Sequence, residues 1–475
     1  MGNEGNKGIT AKKNENFSDW YTEVVQKAEL ADYAPIKGFM IIRPTAYAIW
    51  ERIQEWFNND LKNLGVKNAY FPLLIPDSFF KKEAEHAEGF APELAYVRGT
   101  EEGELLALRP TSETIIYDSF SKWIRSWRDL PLKINQWCNV IRWEVKQTKP
   151  FLRTREFLWQ EGHCAFINEE EAKKNQEEII ICYKKMVEDL LAIPVIIGEK
   201  SEMERFPGAK STKAIESIMP DGKALQCGTS HVLDQGFAKV FNLNFKGEDE
   251  KDHLAWTTSW GFSTRLIGAL IMVHGDDKGL VIPPKVANNK AVIVPIFDSK
   301  NKEKIILKAK DLAKKLTKYN PLLDERDSYS PGWKFSEWEM KGIPLRIEIG
   351  PKDIEKKQVV IVRRDNGKKE FVPETNVTER VEELLIEMQK DLFIKAEKLL
   401  NSKIDKAETL VDLKKKIKEG KMVKAYFKND KKVEAHIKEE LDGATSRFIE
   451  KLSKKGKCVH TGELVDTIGY FAKGY

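Results

Sequence analysis

An α+β fold is predicted: an antiparallel sheet flanked by helices, followed by a small α/β domain and a small α+β C-terminal domain. Three observations lead there. Between Leu105 and Phe166 the segments LLALRP, KINQWCNVIRWE and FLRTREFLWQEGHCAF read as strands in quick succession, which favours antiparallel pairing. Helical apolar spacing brackets them. Beyond residue 290 strand and helix patterns alternate, as in a separate α/β unit.

The elements follow in order. Ile49, Ile53, Phe57, Leu61 and Leu64 recur every three to four residues, so the spacing predicts an amphipathic helix from Tyr47 to Leu64. A short apolar strand from Asn68 to Pro76 contains Pro72, which places it at an edge or interface. One helix near Thr111 to Ser126 interrupts the strand series, another runs from Glu169 to Leu191, IPVIIGEK is a strand, and Ser263 to Val273 is an apolar helix. VIPPKVANNK, residues 281–290, reads as a linker. AVIVPIF, a Lys-rich helix, LRIEIG and QVVIVRR then build the α/β domain, and Thr375 to Glu419 reads as one long charged helix. The expected boundaries are a disordered tail at 1–16, a large sheet-and-helix domain at 17–285, an α/β domain at 286–395 and a C-terminal domain at 396–475.

Composition excludes several classes. The chain has 475 residues, 41% of them apolar and 32% charged, which suits two or three domains with real cores. Its formal net charge of +5 permits a polyanionic partner without demanding one. No stretch approaches a membrane span, and the first residues lack the apolar region of a secretory signal. Five cysteines without a CxxC pair argue for a reducing, cytoplasmic setting.

Taken singly, the chemistry-bearing residues are ordinary. Thr111-Ser-Glu113 is what a helix N-terminus looks like, His163 on its own fits a hydrogen-bonded core position, and Arg142, Arg153, Arg155 and Arg265 each fit a surface. Their order is more informative. IRWE ends one strand, the loop VKQTKP follows, and FLRTREF opens the next. Arg142 and Glu144 lie two apart, as do Arg153 and Arg155, so each pair is expected on one strand face. A hairpin offering several guanidinium forks suits a triphosphate, and Phe157 suits a stacked base.

This hairpin resembles motif 2 of class II aminoacyl-tRNA synthetases. WGFSTRLIG, residues 260–268, resembles motif 3, and the helix leading to Pro72 resembles motif 1, the dimer element. The likeness is closest to prolyl-tRNA synthetases of the archaeal/eukaryotic-like type. It is carried by GFMIIRPTAYAIWE, LRPTSET, FLRTREFLWQEGH, CGTSHVLDQGFAKVF, SWGFSTRLIGALIMVHGDDKGLVIPP and PGWKFSEWEMKGIPLRIEIGP, which together span nearly the whole chain.

The resemblance implies a homodimeric, cytoplasmic enzyme that uses ATP with Mg2+ to join L-proline to tRNA(Pro). Thr111 and Glu113 would grip the ammonium of proline. Trp159, Glu161, His163, Phe206 and His231 would line its pocket. Arg142 would hold the carboxylate and the ATP α-phosphate, and with Arg265 would carry the catalysis. Glu144, Arg153, Thr154, Phe157, Gln226, Thr229 and Ser263 would complete the ATP site, Ser263 standing where the family more often has threonine. The domain at 286–395 resembles the family's anticodon-binding domain, in which Arg346 and Lys369 match residues that read anticodon bases. A threonine or histidine synthetase would keep the arginines but change TSE and WQEGH, and a catalytically dead paralogue would lose one of the arginines. In many relatives the C-terminal domain holds zinc on four cysteines. Here the equivalent positions are Lys428, Val433, Cys458 and His460, with Asp430, Glu434 and His436 as irregularly spaced substitutes, so no structural zinc is expected. The final Tyr475 is expected to be ordered and buried.

Overall fold

The computed structural model describes residues 8–84, 93–98 and 103–475. The amphipathic helix spans Pro44–Asn63. Pro44 opens it, where a fixed φ suits the first turn and no N–H is needed. Its inward stripe, Ile49, Ile53, Phe57 and Leu61, is buried as the spacing predicted.

The catalytic sheet is antiparallel through Ile196–Glu199, Ser211–Ile218, Ala224–Asp234, Trp256–Ser263, Glu156–Phe166 and Leu132–Ile141. One face is covered by Pro44–Asn63, Glu169–Asp189 and Arg265–His274. Between these helices and the sheet, Phe57, Tyr183, Trp260 and Phe262 interlock edge to face, with ring centroids 5.1 Å apart for Tyr183–Phe262 and 5.2 Å for Phe57–Phe262. The opposite face is left for the site.

After the catalytic sheet comes a separate five-stranded sheet, ordered Leu322–Leu323, Ala291–Pro295, Leu345–Ile349, Gln358–Arg363 and Lys369–Pro373. The first pairings are parallel and the later ones antiparallel, with helices Lys302–Lys315 and Pro331–Met340 packed on it. The C-terminal module pairs Ile404–Lys406, Met422–Tyr426, Leu464–Ala472 and Thr445–Lys457, and the bridge Ile449↔Glu199 joins it to the catalytic sheet. Helices and a large sheet in one chain make the α+β class.

Several expectations are corrected. The strand at 68–76 is two short ones. Lys67–Asn68 pairs in parallel with Ile134 and Asn135, and Leu74–Pro76 pairs with Leu106–Leu108. Pro72 cannot donate to a ladder, and the Phe71 N–H beside it goes to the Gln136 side chain instead. Residues 281–290, expected as a linker, connect the two domains but are packed against them. Val286 and Ala287 join the catalytic core, and the Gln389 side chain accepts from the Lys285 N–H at 3.0 Å. The helix expected over 375–419 ends at Ser402. The strand Ile404–Lys406 follows, and a second helix runs from Leu410 to Lys418. The boundary at 395 therefore falls inside Val377–Ser402. Of the expected tail, residues 1–7 lie outside the described residues, and the rest is folded. Ile9 packs on the core, and Lys13 donates to Gly275 O at 2.6 Å and Asp277 Oδ1 at 2.8 Å, through its side chain and backbone N–H respectively. Tyr475 is half-buried, its hydroxyl 2.8 Å from Asp221 Oδ2. Among the described residues no helix is long and apolar enough to cross a membrane.

His274 ends the helix Arg265–His274 and donates its Nε2–H to Leu191 O at 2.8 Å. Burial first, then nearby Lys13 and Lys395, push its pKa down to about 4 against that carbonyl's pull. The unfolded chain therefore takes up this proton near pH 6.5 while the folded one refuses it until about pH 4. Stability is full above the unfolded pKa and falls as pH drops, by roughly 3 kcal/mol at pH 4 from this one group. We expect His274→Gln, which keeps a donor for Leu191 O, to flatten the fall in thermal midpoint between pH 6.5 and 4; an unchanged slope contradicts this.

Candidate active site

Sheet register assembles the site. Trp159, Glu161 and His163 alternate along one strand and so share one face. Their neighbours across the sheet are Ser263, Gly261 and Ser259, and beyond Gly261 and Ser259 lie Thr229 and His231. Gln136 and Ile134 flank Glu161 and His163 on the other side. A β-bulge at Cys227 shifts the alternation, so Gln226 joins Thr229 on the site face. At Gly261 an added Cβ would lie 2.8 Å from Gln160 O and 3.5 Å from the Trp159 ring, so only glycine leaves the floor open there.

Above this face lies a cavity of ≈ 270 Å³, lined among others by Thr111, Glu113, Arg142, Trp159, Glu161, His163, Phe206 and His231. The loop before the helix Glu113–Trp123 brings Thr111 and Glu113 to it; the Thr111 hydroxyl donates to Glu113 Oε2. Glu161 is held by Ser112 Oγ at 2.5 Å, Gln136 Nε2 at 2.9 Å, Cys138 Sγ at 3.3 Å and His163 Nε2 at 3.0 Å. Burial opposes its ionisation, yet the His163 bond and charge overcome this, holding Glu161 below the usual carboxylate range and His163 above the usual imidazole range. His231 goes the other way. Burial, then the charges of His163 and Lys200, push it down to about 3, so it is neutral and shares a hydrogen bond with Thr212 Oγ1 at 2.9 Å. Its ring packs on Phe206, centroids 4.7 Å apart. The cavity is thus walled by carboxylates and rings together.

Glu113, Glu161 and His163 also form a group whose ligand atoms lie within 4.8 Å of one another, as a metal would need. Glu161, however, already accepts from four side chains, whereas Glu113 accepts from Thr111 alone in the bonds above. That donor set suits one organic ammonium at Glu113.

A second cavity of ≈ 110 Å³ adjoins the first. Arg142, Trp159, Gln226, Thr229 and Gly261 line both, and Phe157, Ser263 and Arg265 belong to the second alone. Arg142 therefore stands at the junction, its guanidinium 5.3 Å from the Phe157 ring centre and 5.7 Å from that of Trp159. Arg265 Nε donates to Leu152 O at 3.1 Å; burial, then the charge of Arg142, lower its pKa to about 10, which leaves it cationic.

Three predicted residues stand apart from both cavities. Glu144 and Arg153 are exposed on the loop between strands, and Thr154 is buried with its hydroxyl donating to Glu156 O at 2.7 Å. The strands end at Ile141 and begin again at Glu156, so the expected pairing of Arg142 with Glu144, and of Arg153 with Arg155, on strand faces does not form. Arg155 turns back onto Val145 O and the Trp143 ring. Ser112, Gln136, Cys138, Lys200 and Thr212 were missed. Only Gln136 carried a signal, as a polar residue inside an apolar strand.

In the five-stranded sheet Arg346, Val362 and Lys369 form one row across three strands. Arg346 donates through Nε and Nη2 to Glu348 Oε1 at 3.0 and 2.9 Å, Lys369 Nζ lies 3.7 Å from the same oxygen, and the guanidinium sits 4.2 Å from the Phe335 ring centre. In the C-terminal module Lys428 pairs with Glu463, Val433 packs into the apolar core, Cys458 is buried and accepts from the Thr461 N–H, and His460 lies on His436. Asp430 caps the helix Lys431–Glu440, and Glu434 is buried between two serines.

Comparison with known proteins gives the family. The tRNA synthetase class II core domain (G, H, P, S and T) matches residues 96–274 and the anticodon binding domain matches 290–384, which define a class II aminoacyl-tRNA synthetase. The prolyl-tRNA synthetase C-terminal domain matches 410–475. A proline–tRNA ligase of Natranaerobius thermophilus is 49% identical over 98% of this chain and 97% of its own. That of Cenarchaeum symbiosum is 47% identical over 98% of this chain and 99% of its own. The chain belongs to the proline–tRNA ligase family.

Proposed function

We propose that this chain activates L-proline with ATP, forming prolyl-adenylate and pyrophosphate, and then transfers the prolyl group to the 3′ end of tRNA(Pro). The observation that carries the residue-level reading is the junction at Arg142 between an acid-and-ring cavity and an arginine-lined one.

Proline has an apolar ring, a carboxylate and a secondary ammonium with two hydrogens. Glu113 and Thr111 receive the ammonium, Glu161 stays committed to its four donors, and the ring lies among Trp159, Phe206, His163 and the neutral His231. Arg142 aims the carboxylate at the α-phosphorus. A carboxylate oxygen forms a bond to phosphorus as the bond to the bridging oxygen breaks and pyrophosphate leaves with that electron pair. The attacker is already an anion, so no general base is required. Arg142 and Arg265 offset the charge that gathers on the phosphoryl oxygens, which is where positioned cations are worth most. Gln226, Thr229 and Ser263 offer polar contacts to the nucleotide and Phe157 a stacking face for adenine. Exposed Arg153 is left for the outer phosphates, and Thr154 supports the strand start. When bound with ATP, Mg2+ neutralises polyphosphate charge. Burial lowers the pKa of Arg142, and Glu144, an exposed carboxylate close enough to oppose that shift, is the candidate holder of the ion. In the second step the tRNA 3′-terminal hydroxyl attacks the prolyl carbonyl and AMP leaves.

Arg346 and Lys369, converging on Glu348 beside Phe335, present donors and a ring suited to an unpaired anticodon base. A homodimer is supported by the exposed side chains of Tyr33, Ile36, Ile41, Tyr47, Tyr70 and Leu74, which fall in and around the motif 1 region. The C-terminal module is read as standing without zinc on its own core, which includes Leu413, Phe427, Ile437, Leu441 and Phe471. Free cysteines fit a cytoplasmic setting.

Proline-dependent ATP–pyrophosphate exchange tests the reading. Glu113→Ala leaves a buried ammonium without its counter-charge, so the proline KM should rise about a hundredfold with the ATP KM nearly unchanged; unchanged proline activation refutes the assignment. Arg265→Ala should lower exchange by about a hundredfold or more while the fold survives; near-normal exchange refutes its role. Arg346→Ala should impair tRNA charging and spare exchange, and equal losses in both assays count against an anticodon role.

A further inference from the structure

The C-terminal module grips the segment that walls the amino-acid cavity. Residues 200–207 supply Lys200, Glu204, Arg205, Phe206 and Pro207 to that cavity. Helix Lys431–Glu440 lies along their outer side. Lys431, Glu434 and Lys438, spaced by three and four and so on one helix stripe, meet Glu202 at 3.3 Å, Ser201 and Glu204 at 3.8 Å. The central contact is buried. Glu434 is 2% exposed, and its Oε1 accepts from Ser201 Oγ at 2.9 Å and from Ser446 Oγ of the module's own strand. Ser201 is also the anchor of the turn. Its Oγ accepts the Glu204 N–H at 3.2 Å and its carbonyl accepts the Arg205 N–H at 3.0 Å. The segment then leads to Phe206, whose N–H reaches Thr212 Oγ1, the partner of His231.

A second grip lies beneath. Arg447 of the module reaches Glu216 in the catalytic sheet with Nε and Nη2, both at 2.8 Å. Glu216 is fully buried and also holds Lys200. The adjacent Phe448 packs on Gly198, where a Cβ would lie 2.2 Å from its ring, and its ring centre is 5.4 Å from Lys200 Nζ. The segment is therefore fastened at Ser201 by the C-terminal module directly, and at Lys200 by Glu216 of the catalytic sheet, which Arg447 of the module holds and beside which Phe448 packs.

We propose that Glu434 and Arg447 are positioning residues for amino-acid binding: the C-terminal module sets the segment 200–207 and so the place of Phe206 against the substrate ring. This rests on the reading of the cavity as the proline pocket. Neither residue touches the cavity, so their effect must pass through Ser201 and Lys200.

The test is steady-state exchange on the full chain. Glu434→Leu removes the acceptor at similar size, Ser201→Ala removes its partner along with the acceptor of the Glu204 N–H, and Glu434→Gln keeps an acceptor. We expect Glu434→Leu and Ser201→Ala each to raise the proline KM by about fivefold or more with the ATP KM within about twofold, the double variant to be no worse than the worse single one, and Glu434→Gln to stay near wild type. Proline KM values unchanged in both single variants overturn the proposal, as do proline and ATP KM values that rise together, the mark of general loosening. Loss of the proposal alone is recognised by a wild-type enzyme that exchanges with proline and is crippled by Glu113→Ala; an enzyme with no proline exchange overturns the pocket reading and this inference with it.

Discussion

Buried charge is the constraint on which the rest of the structure depends. Glu113, Glu161 and Glu216 are all nearly or wholly removed from water. Stranding such a group costs on the order of 3–5 kcal/mol, so each needs a partner. Glu161 has four donors and Glu216 has Lys200 and Arg447. Glu113 has, among the described residues, a single hydroxyl. The pairing of Glu216 also ties a distant part of the chain to the catalytic sheet, because one of its two partners comes from beyond residue 440.

Sheet register turns this constraint into geometry. The side chains of one antiparallel row lie within reach of each other, and the next row on the same face is two residues along. The aromatic core on one face and the polar site on the other are written in alternate positions of the same strands. Trp260 and Phe262 point into the core while Gly261 and Ser263 face the cavities. A one-residue slip would exchange the two sets, so the packing of Phe57, Tyr183 and Trp260 holds the site as surely as any contact inside it.

Much of this was legible in the sequence. The helix Pro44–Asn63, the long hairpin strands, the change to an α/β unit after residue 290 and the cavity residues from Thr111 to His231 all carried local patterns or motif likeness. What escaped has physical reasons. Strand periodicity could not place Glu144 or Arg153, because the chain leaves the sheet between Ile141 and Glu156. Gln226 faces the site only because of the bulge beside it. Lys200 and Glu216 carried no pattern of their own and Glu434 was weighed only as a substitute metal ligand, since their burial depends on partners from 16 to 233 positions away. The segment 281–290 looked like a tether, yet its prolines and small apolar residues fill the seam between two domains.

The helix Val377–Ser402 has 26 residues and contains neither glycine nor proline. At 1.5 Å per residue it is a rod of about 39 Å. Its first turns belong to the core of the five-stranded sheet, Gln389 at its middle donates to Asp189 O of the catalytic domain at 2.9 Å, and Leu400 near its end packs beside Met422 and Phe448 of the C-terminal module. Such a rod works as a caliper. It fixes the gap between the surface bearing Arg346 and the junction at Arg142, as the jaws of one rigid tool are held at a set span.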